Sequence, residues 1–385
     1  MSRLTTSTIP SPEKAFLVGV SIKGARSPWT LEDSLQELGQ LALTADAEVV
    51  GTLTQQLSSP SPTYLGKGKL DELKALRSAV PYDVVVIDDE LSPSQQRALE
   101  ERLKVKVIDR TALILDVFAR RARTREGKLQ VELAQHEYLL PRLAGQWSHL
   151  ERLGGGIGTR GPGEAQLETD RRLIRNKIHR LKQQIQEIRT HRSLYRNDRK
   201  RRGISVVALV GYTNSGKSTL LNRLTRAKVL AEDKLFATLD PVTRRLSLPL
   251  GTEALLTDTV GFIQKLPPIL VAAFKATLEE LSDADLLLHV ADVTHPNAAE
   301  QVREVERVLE SLGLSHKPIL TALNKVDLLS DDGYTPLDGR LPGLKWLEDI
   351  VMPRDMVSIS ALRGWGLDRL LEMIVEKLAA ASPVK

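Results

Sequence analysis

Short apolar runs alternate with amphipathic helical patterns over the first 120 residues. We predict strands at residues 16–20, 47–53, 83–88 and 105–109, and helices at residues 31–45, 69–79 and 93–103. Regular alternation of this kind indicates a parallel sheet with helices packed against it. The first part of the chain is therefore predicted to be an α/β domain.

Between residues 126 and 200 the apolar residues instead repeat at steps of three and four. The first series comprises Leu129, Leu133, His136, Leu140, Leu143, Trp147 and Leu150; the second, interrupted by Arg171, comprises Leu167, Ile174, Ile178, Leu181, Ile185, Ile188 and Tyr195. Such spacing is typical of helices that pack along a common seam. With the glycine-rich stretch 154–163 between them, the two series predict an antiparallel helical hairpin whose first arm is kinked at Pro141.

Strands and helices alternate again after Arg202. We predict strands at 204–210, 255–257, 286–292, 318–324 and 356–360 and a helix at 367–381, the pattern of a doubly wound α/β unit. The 385 residues leave room for two or three buried cores. The predicted domains are an N-terminal α/β domain at 1–125, a helical coiled-coil hairpin with a glycine-rich tip at 126–200, and a doubly wound domain at 201–385.

The composition excludes several kinds of chemistry. The chain has no cysteine, which rules out disulfides, thiolate metal ligands and cysteine nucleophiles. No apolar run approaches the roughly 20 residues that span a bilayer, and residues 1–12 lack the apolar centre of a signal peptide. We expect a monomer in the cytoplasm, without a membrane span.

Basic residues are concentrated in one segment. Residues 171–202 contain thirteen Lys or Arg and two acidic residues, a local net charge of +11 in a chain whose total is +5. A charged run can be only a solvated helix face. The functional alternative is attraction to the phosphates of a nucleic acid.

A phosphate-binding motif begins where the predicted strand 204–210 ends. The sequence Gly211-Tyr212-Thr213-Asn214-Ser215-Gly216-Lys217-Ser218 has the spacing of a P-loop and leads through Thr219 into a helical pattern. Backbone N–H groups at such a helix N-terminus face the phosphates. Lys217 is expected to reach the β- and γ-phosphates as a catalytic cation, and the Ser218 hydroxyl to be a ligand of Mg²⁺.

Two later segments are expected to complete the metal side of this site. Asp258-Thr259-Val260-Gly261 follows a predicted strand, so that Asp258 would hold Mg²⁺ through water and the Gly261 N–H would lie near the γ-phosphate. Phe236-Ala237-Thr238-Leu239-Asp240 lies between the P-loop and Asp258, and all five residues are expected to contribute to GTP binding. In it Thr238 is the candidate second hydroxyl on Mg²⁺, and Thr243 is the alternative.

The base is selected by a third segment. Asn324-Lys325-Val326-Asp327 ends the predicted strand 318–324, and its Asp327 carboxylate can accept hydrogen bonds from N1–H and the 2-amino group of guanine. Adenine would leave that carboxylate unpaired, so GTP is favoured over ATP. The turn Ser360-Ala361-Leu362, after the next strand, is expected to direct a backbone N–H at the guanine O6.

Two other glycine-rich segments carry weaker signals. Residues 156–161 match the spacing of a dinucleotide-binding loop, but a helical series precedes them and Pro162 follows, so we reject that interpretation. We instead interpret these residues as a glycine-rich hairpin tip that carries Arg160 and can approach a crowded surface closely. A simple linker is the alternative. Residues 66–69 could contact phosphate, although such a sequence more often only begins a helix.

The residue after Gly261 bears on the rate of hydrolysis. Ras-like GTPases place a water-orienting Gln there, whereas this chain has Phe262, so slow intrinsic turnover is expected. Asn214 is the P-loop residue that potassium-activated GTPases use near the phosphates. We hypothesise that K⁺, a macromolecular partner, or both supply the missing stabilisation of the transition state.

These motifs together resemble the HflX family of ribosome-associated GTPases. The resemblance rests on the P-loop, on 236–241, on Asp258 to Ile263, and above all on Gly161-Pro162-Gly163-Glu164-Ala165-Gln166-Leu167-Glu168-Thr169-Asp170-Arg171-Arg172. It also takes in residues 66–69 and 127–134. It implies a G domain, GTP hydrolysis, and binding to the large (50S) ribosomal subunit, with splitting of stalled or idle 70S ribosomes under stress.

In that setting the candidate contacts with ribosomal RNA are Arg160, Arg171, Arg172, Arg175, Lys177 and Arg180. Two other function classes remain. A tRNA-modifying GTPase would normally end in a cysteine motif, which this chain lacks. A regulatory switch for a protein partner would not require the basic segment.

Overall fold

The structure is a computed structural model that describes residues 12–24, 29–143, 162–201, 203–225, 234–273, 280–329 and 355–381. The described residues form two compact units. The first contains the residues up to 117 together with 141–143 and 162–167, and the second contains 118–140 and the residues from 168 onward. The predicted division at residues 125 and 200 stays a prediction.

A four-stranded parallel sheet lies at the centre of the first unit. Its strands are β1 (Lys14–Ile22), β2 (Glu48–Leu57), β3 (Val84–Ile87) and β4 (Lys106–Asp109), in the order β2-β1-β3-β4. The helices are α1 (Leu31–Thr44), α2 (Lys67–Ala79), α3 (Pro93–Leu103) and the start of α4 (Arg110–Arg121). Alternate residues of β1, Phe16 and Val18, pack with Leu70 and Leu99 from α2 and α3 in one core. The predicted parallel α/β domain is confirmed.

Local signals explain most of these boundaries. Ser92 caps α3 in a reciprocal capping box with Gln95, and Pro93 occupies the first turn. The predicted strands and helices agree with the observed ones to within a few residues, except that α4 was not predicted. Helix α4 follows β4 with no residue between them, and the last residue of the strand caps the helix: Oδ1 of Asp109 accepts a hydrogen bond from the Ala112 N–H at 2.8 Å.

Two helices of the second unit pack along an apolar seam. They are α5 (Arg125–Leu139) and the 40-residue α6 (Pro162–Arg201). Leu133 of α5 packs with Ile178, Leu181 and Ile185 of α6, as the heptad spacing predicts. The end of the predicted first arm, with Trp147 and Leu150, and the predicted tip with Arg160 lie outside the described residues.

The predicted kink at Pro141 is wrong. Helix α5 ends at Leu139, and Pro141 lies in the turn that follows it. Proline lacks the N–H that the next helical hydrogen bond needs, and its ring collides with the preceding turn, so the helix stops instead of bending.

The rest of the second unit is built on a six-stranded sheet. Its strands are β5 (Ser205–Val210), β6 (Val242–Ser247), β7 (Glu253–Asp258), β8 (Leu286–Asp292), β9 (Ile319–Asn324) and β10 (Met356–Ser358), in the order β10-β9-β8-β5-β7-β6. The helices are α7 (Lys217–Thr225), α8 (Pro268–Ala273), α9 (Ala298–Ser311) and α10 (Leu367–Ala381), with 3₁₀ turns at Pro249–Gly251 and Val326–Leu328.

Strand β5 lies in the middle of this sheet and is buried on both faces. Val207 and Leu209 belong to the core under α7 and α10, whereas Ala208 and Val210 belong to the core under α9. The predicted doubly wound fold is confirmed. The sheet also has an antiparallel edge strand, β6, which was not predicted because Arg244 and Arg245 interrupt its apolar pattern. None of the helices described is long and apolar enough to cross a bilayer.

Candidate nucleotide-binding site

The loop between β5 and α7 is held in a shape that only particular residues permit. Gly216 has a φ of +96°, and a Cβ there would lie 2.2 Å from Nδ2 of Asn324. Gly211 comes so close to β8 that its Cβ would lie 2.3 Å from the Val290 carbonyl oxygen. Asn214 adopts a φ of +60°, which Asn tolerates better than most residues. The P-loop spacing thus corresponds to a backbone loop that ends at the N-terminus of α7.

Lys217 lies inside this loop. Its Nζ donates hydrogen bonds to the carbonyl oxygens of Gly211, at 3.1 Å, and Tyr212, at 2.7 Å. Burial lowers the pKa of Lys217 to about 8, although the charge of Asp258 opposes the shift. Burial and the charge of Lys217 also lower the pKa of His289 to about 4, so the neighbouring ring is neutral near pH 7. Lys217 is therefore the cation at the centre of the site, and an anion beside it would raise its pKa.

Three oxygen donors from separate segments meet beside Lys217. The Ser218 hydroxyl donates to the Asp258 carboxylate at 2.6 Å, the Thr238 hydroxyl donates to the same oxygen at 3.0 Å, and the two hydroxyl oxygens are 2.8 Å apart. Burial raises the pKa of Asp258, although the charge of Lys217 opposes the shift. The alternative, Thr243, is bonded instead to the Thr257 hydroxyl at 2.9 Å. The geometry thus favours Thr238.

The donors around Lys217 fit a magnesium nucleotide. The Asp258 Oδ1, the Thr213 hydroxyl and the Ser215 hydroxyl are buried without a hydrogen-bond partner among the residues that the structure describes. Unsatisfied buried groups are costly, so such a set is expected where a polar ligand binds. Carboxylate and hydroxyl oxygens are also the hard donors that Mg²⁺ prefers. Ser218 and Thr238 could hold the ion directly, and Asp258 through water.

The segment after β7 is hydrogen-bonded to the P-loop. The Thr213 N–H donates to the Phe262 carbonyl at 2.7 Å, and the Phe262 N–H donates to the Gly211 carbonyl at 3.0 Å. A Cβ at Gly261 would lie 2.8 Å from the Thr213 Cα and 3.0 Å from the Lys217 Nζ. The Phe262 side chain is 1% exposed and packs in the core under α9. The Phe262 side chain, buried and apolar, therefore cannot orient a water molecule.

Asn324 connects three loops at the base side of the site. Its Nδ2 donates to the Ser215 carbonyl at 2.8 Å, and its Oδ1 accepts from the Ala361 N–H at 2.9 Å. The turn that contains Ala361 is closed by a hydrogen bond from the Arg363 N–H to the buried Ser360 hydroxyl at 2.9 Å. This network brings the turn 360–362 next to the P-loop.

The other residues of the predicted base-selecting segment are also placed by local contacts. Lys325 has a φ of +69°, and its Nζ forms an ion pair with Asp292 at 2.7 Å. Asp327 lies in the 3₁₀ turn Val326–Leu328 and is half-buried. Leu362 is exposed, so its predicted role depends on its backbone. That Asp327 reads guanine stays a prediction.

A cleft joins most of the predicted phosphate and metal residues. It is lined by Thr213, Asn214, Gly216, Lys217, Ser218, Thr219, Lys234, Phe236, Ala237, Thr238, Thr259 and Gly261. Lys234 was missed because no motif includes it; its distance of four residues from Thr238 was the available signal. The Leu239 side chain is buried, and neither Leu239 nor Asp240 lines the cleft.

The Asp240 carboxylate is directed at the start of α5, and its predicted part in GTP binding stays a prediction. Its Oδ2 accepts hydrogen bonds from the backbone N–H groups of Arg123, at 2.7 Å, and Thr124, at 2.8 Å. Its Oδ1 accepts one from the Thr124 hydroxyl. A carboxylate is favoured at this position because it faces the N-terminus of α5.

The candidate RNA contacts on α6 differ in their surroundings. Arg175 forms an ion pair with Glu168 at 3.5 Å, and Lys177 forms one with Glu132 of α5 at 2.8 Å. Arg172 and Arg180 are exposed and Arg171 is half-buried, and within the described ranges these three form no ion pair. They are the cations on this stretch of α6 that remain available to a polyanion.

Comparison with known proteins covers almost the whole chain. Residues 32–119 match a family described as GTP-binding GTPase N-terminal, 121–199 match GTP-binding GTPase Middle Region, and 206–325 match 50S ribosome-binding GTPase. The chain is 53% identical to GTPase HflX of Caldanaerobacter subterraneus subsp. tengcongensis over 95% of this chain and 81% of that protein. It is 54% identical to GTPase HflX of Alkalihalophilus pseudofirmus over 83% of this chain and 75% of that protein.

A solved structure is also similar. The crystal structure of an SsGBP and GDP complex has a TM-score of 0.50 and 27% identity, and it covers 96% of this chain and 100% of that chain. That structure contains GDP.

Proposed function

Because the chain belongs to the HflX family of GTPases, we propose that it binds the 50S ribosomal subunit in its GTP state and splits or rescues stalled or idle 70S ribosomes under stress. Its reaction is the hydrolysis of GTP to GDP and phosphate. The observation that carries the proposal is that one compact unit contains both this GTP site and residues 168–201 of the long basic helix α6.

The basic helix supports a polyanionic target. Arg171, Arg172 and Arg180 lie on α6 without an ion pair to any described residue, so they can contact phosphate without breaking one. Phosphate contacts supply a large share of the affinity of proteins for nucleic acids. In the proposed complex the N-terminal domain and the helices reach the peptidyl-transferase region, and the GTPase domain lies near the factor-binding centre. The proposed location is the cytoplasm, and the proposed state is a monomer.

The residues of the cleft support nucleotide binding and a slow intrinsic hydrolysis. Ser218, Thr238 and Asp258 would hold Mg²⁺, which neutralises charge on the phosphates when it is bound. Lys217 adds a positive charge at the same place, and the P-loop N–H groups orient the phosphates. Since Phe262 is buried and apolar, the chain itself lacks a side chain there to orient the attacking water. We propose that contact with the ribosome accelerates the reaction.

Potassium is the second proposed activator. Asn214 lines the cleft at the tip of the P-loop, where a monovalent cation could add positive charge near the phosphates. Single-turnover hydrolysis is expected to be at least about tenfold faster in K⁺ than in Na⁺, and Asn214→Ala should remove the difference. Rapid-quench measurements at equal ionic strength test this. Equal rates in the two salts, unchanged by Asn214→Ala, would exclude K⁺ as an activator.

Splitting of ribosomes has a direct test. With vacant 70S ribosomes and a non-hydrolysable GTP analogue, the protein is expected to convert most of the 70S peak on a sucrose gradient into 30S and 50S peaks. GDP should not support the conversion. If 70S ribosomes bind the protein and stay intact in every nucleotide state, the splitting role is wrong, while ribosome binding stands.

A further inference from the structure

Two contacts hold the segment that contains Thr238, one on each side of it. The Phe236 ring packs edge-on against the Phe118 ring of α4, with the ring centroids 4.6 Å apart and the planes at 81°. Both rings are almost fully buried. On the other side, the Asp240 carboxylate accepts hydrogen bonds from the Arg123 and Thr124 N–H groups and from the Thr124 hydroxyl. We call Phe236 and Asp240 the two anchors of this segment; only three residues separate them.

The Asp240 contact is built at the beginning of α5. Thr124 is the N-cap of this helix, since its hydroxyl accepts a hydrogen bond from the Gly127 N–H at 3.0 Å. A Cβ at Gly127 would lie 2.2 Å from the Asp240 Oδ1, so a glycine is required for this close approach. The positive end of the helix dipole also favours the carboxylate.

The Phe236 contact stabilises an unfavourable backbone conformation. Phe236 has a φ of +55°, which costs free energy for a residue other than glycine and persists only where the surroundings enforce it. The packing of its ring against Phe118 supplies that constraint. The two anchors therefore define the path of the backbone on which Thr238 meets Ser218 and Asp258.

We infer that residues 118–127, the elbow between α4 and α5, position Thr238 for Mg²⁺, and that the elbow thereby couples helix α5 to the nucleotide state. Phe118 and Thr124 are positioning residues, because they act through Phe236 and Asp240 and do not line the cleft. This inference concerns the metal side of the site and does not depend on the ribosome being the target.

The segment after Gly261 also meets these helices. Helix α8, which follows that segment, packs against α5. Arg192 of α6 forms ion pairs with Glu126 of α5, at 2.9 Å, and with Glu280, at 3.2 Å. In GTPases the two segments around the γ-phosphate change together when it is released. Helix α5 is thus in contact with both of them.

Coupling of this kind is reciprocal. If GTP with Mg²⁺ favours the arrangement in which Thr238 is held, then any partner that favours the same position of α5 raises the affinity for GTP by the same factor. Since α6 packs on α5, a ligand of the basic helix has a physical route to the metal site.

The test uses the full chain and fluorescent GTP and GDP analogues. Thr124→Val keeps the shape of the side chain and removes its hydroxyl. Mg²⁺ slows release of the GTP analogue, and we call the concentration at which the slowing is half-maximal the Mg²⁺ midpoint. Thr124→Val is expected to raise this midpoint by about tenfold, in line with typical coupling energies. Affinity for the GDP analogue should change less than about twofold, because γ-phosphate-dependent contacts are absent with GDP. Thr124→Ser should restore the wild-type midpoint.

The matched control is Thr30→Val, which removes the same N-cap contact from α1 in the other unit. It should leave the Mg²⁺ midpoint unchanged. Phe118→Leu tests the contact at Phe236 and should shift the midpoint in the same direction as Thr124→Val. It also keeps the inference testable if Thr124→Val does not fold.

Two readouts separate positioning from general destabilisation. Hydrogen exchange of the backbone N–H groups at 236–240 should be faster in nucleotide-free Thr124→Val than in wild type. In a Thr238→Ala background, Thr124→Val should have no further effect on the Mg²⁺ midpoint. An unchanged midpoint in both anchor variants, or an equal loss of GTP and GDP affinity, would overturn the inference.

Discussion

Lys217→Ala is expected to lower the rate of GTP hydrolysis by about 10²- to 10³-fold, the usual effect of removing one preorganised charge from a reacting group. The lysine is buried and is held by the carbonyl oxygens of Gly211 and Tyr212. Because these contacts already hold the ammonium group in place, it does not need to rearrange when phosphate binds. Single-turnover hydrolysis at saturating GTP, with and without 50S subunits, measures the effect.

The control for this prediction is Lys377→Ala. Lys377 is also a lysine of the second unit, and it pairs with Asp355 outside the cleft. Its replacement should leave hydrolysis within about twofold of wild type, because surface ion pairs contribute little. A loss of less than tenfold for Lys217→Ala would show that the cleft is not the hydrolytic site.

Reversal of three charges on α6 is expected to remove ribosome binding and spare nucleotide binding. Replacement of Arg171, Arg172 and Arg180 by Glu should weaken association with 50S subunits by at least about 10²-fold near physiological salt, because each arginine would otherwise neutralise a phosphate of the RNA. The slope of log affinity against log salt should fall by about 3, one for each arginine replaced. GTP affinity should not change.

A matched variant controls for total charge. Arg303, Arg307 and Arg369 lie on α9 and α10, are exposed, and form ion pairs within their helices. Replacing these three by Glu changes the net charge by the same amount and should leave ribosome association nearly intact. Equal losses in the two triple variants would indicate a nonspecific effect of charge and contradict direct binding of RNA by α6.

The sequence predicted those features that follow from local chemistry. Strand and helix alternation predicted both sheets because buried parallel strands are continuously apolar, as in β3 and β8. The P-loop could be predicted because its glycines are required where the backbone approaches Val290 and Asn324. Thr238 was selected over Thr243 by sequence position alone, and the structure places Thr238 with Ser218 and Asp258.

Features that depend on distant contacts could not be predicted. Asp240 belongs by position to the nucleotide-binding segment, but its partners Arg123 and Thr124 lie more than 110 residues earlier in the chain. Asn324 was expected only in the guanine motif, and its bridge between Ser215 and Ala361 depends on the packing of three loops. Each of these contacts requires the tertiary fold, which local patterns do not contain.

We propose that GTP at this cleft controls binding to the large ribosomal subunit. Sedimentation of the protein with purified 50S subunits in GDP, in a non-hydrolysable GTP analogue and without nucleotide measures this control. We predict co-sedimentation with 50S subunits in the GTP analogue and little or none in GDP or without nucleotide. Absence of co-sedimentation in all three conditions, or equal co-sedimentation in all three, would contradict the claim.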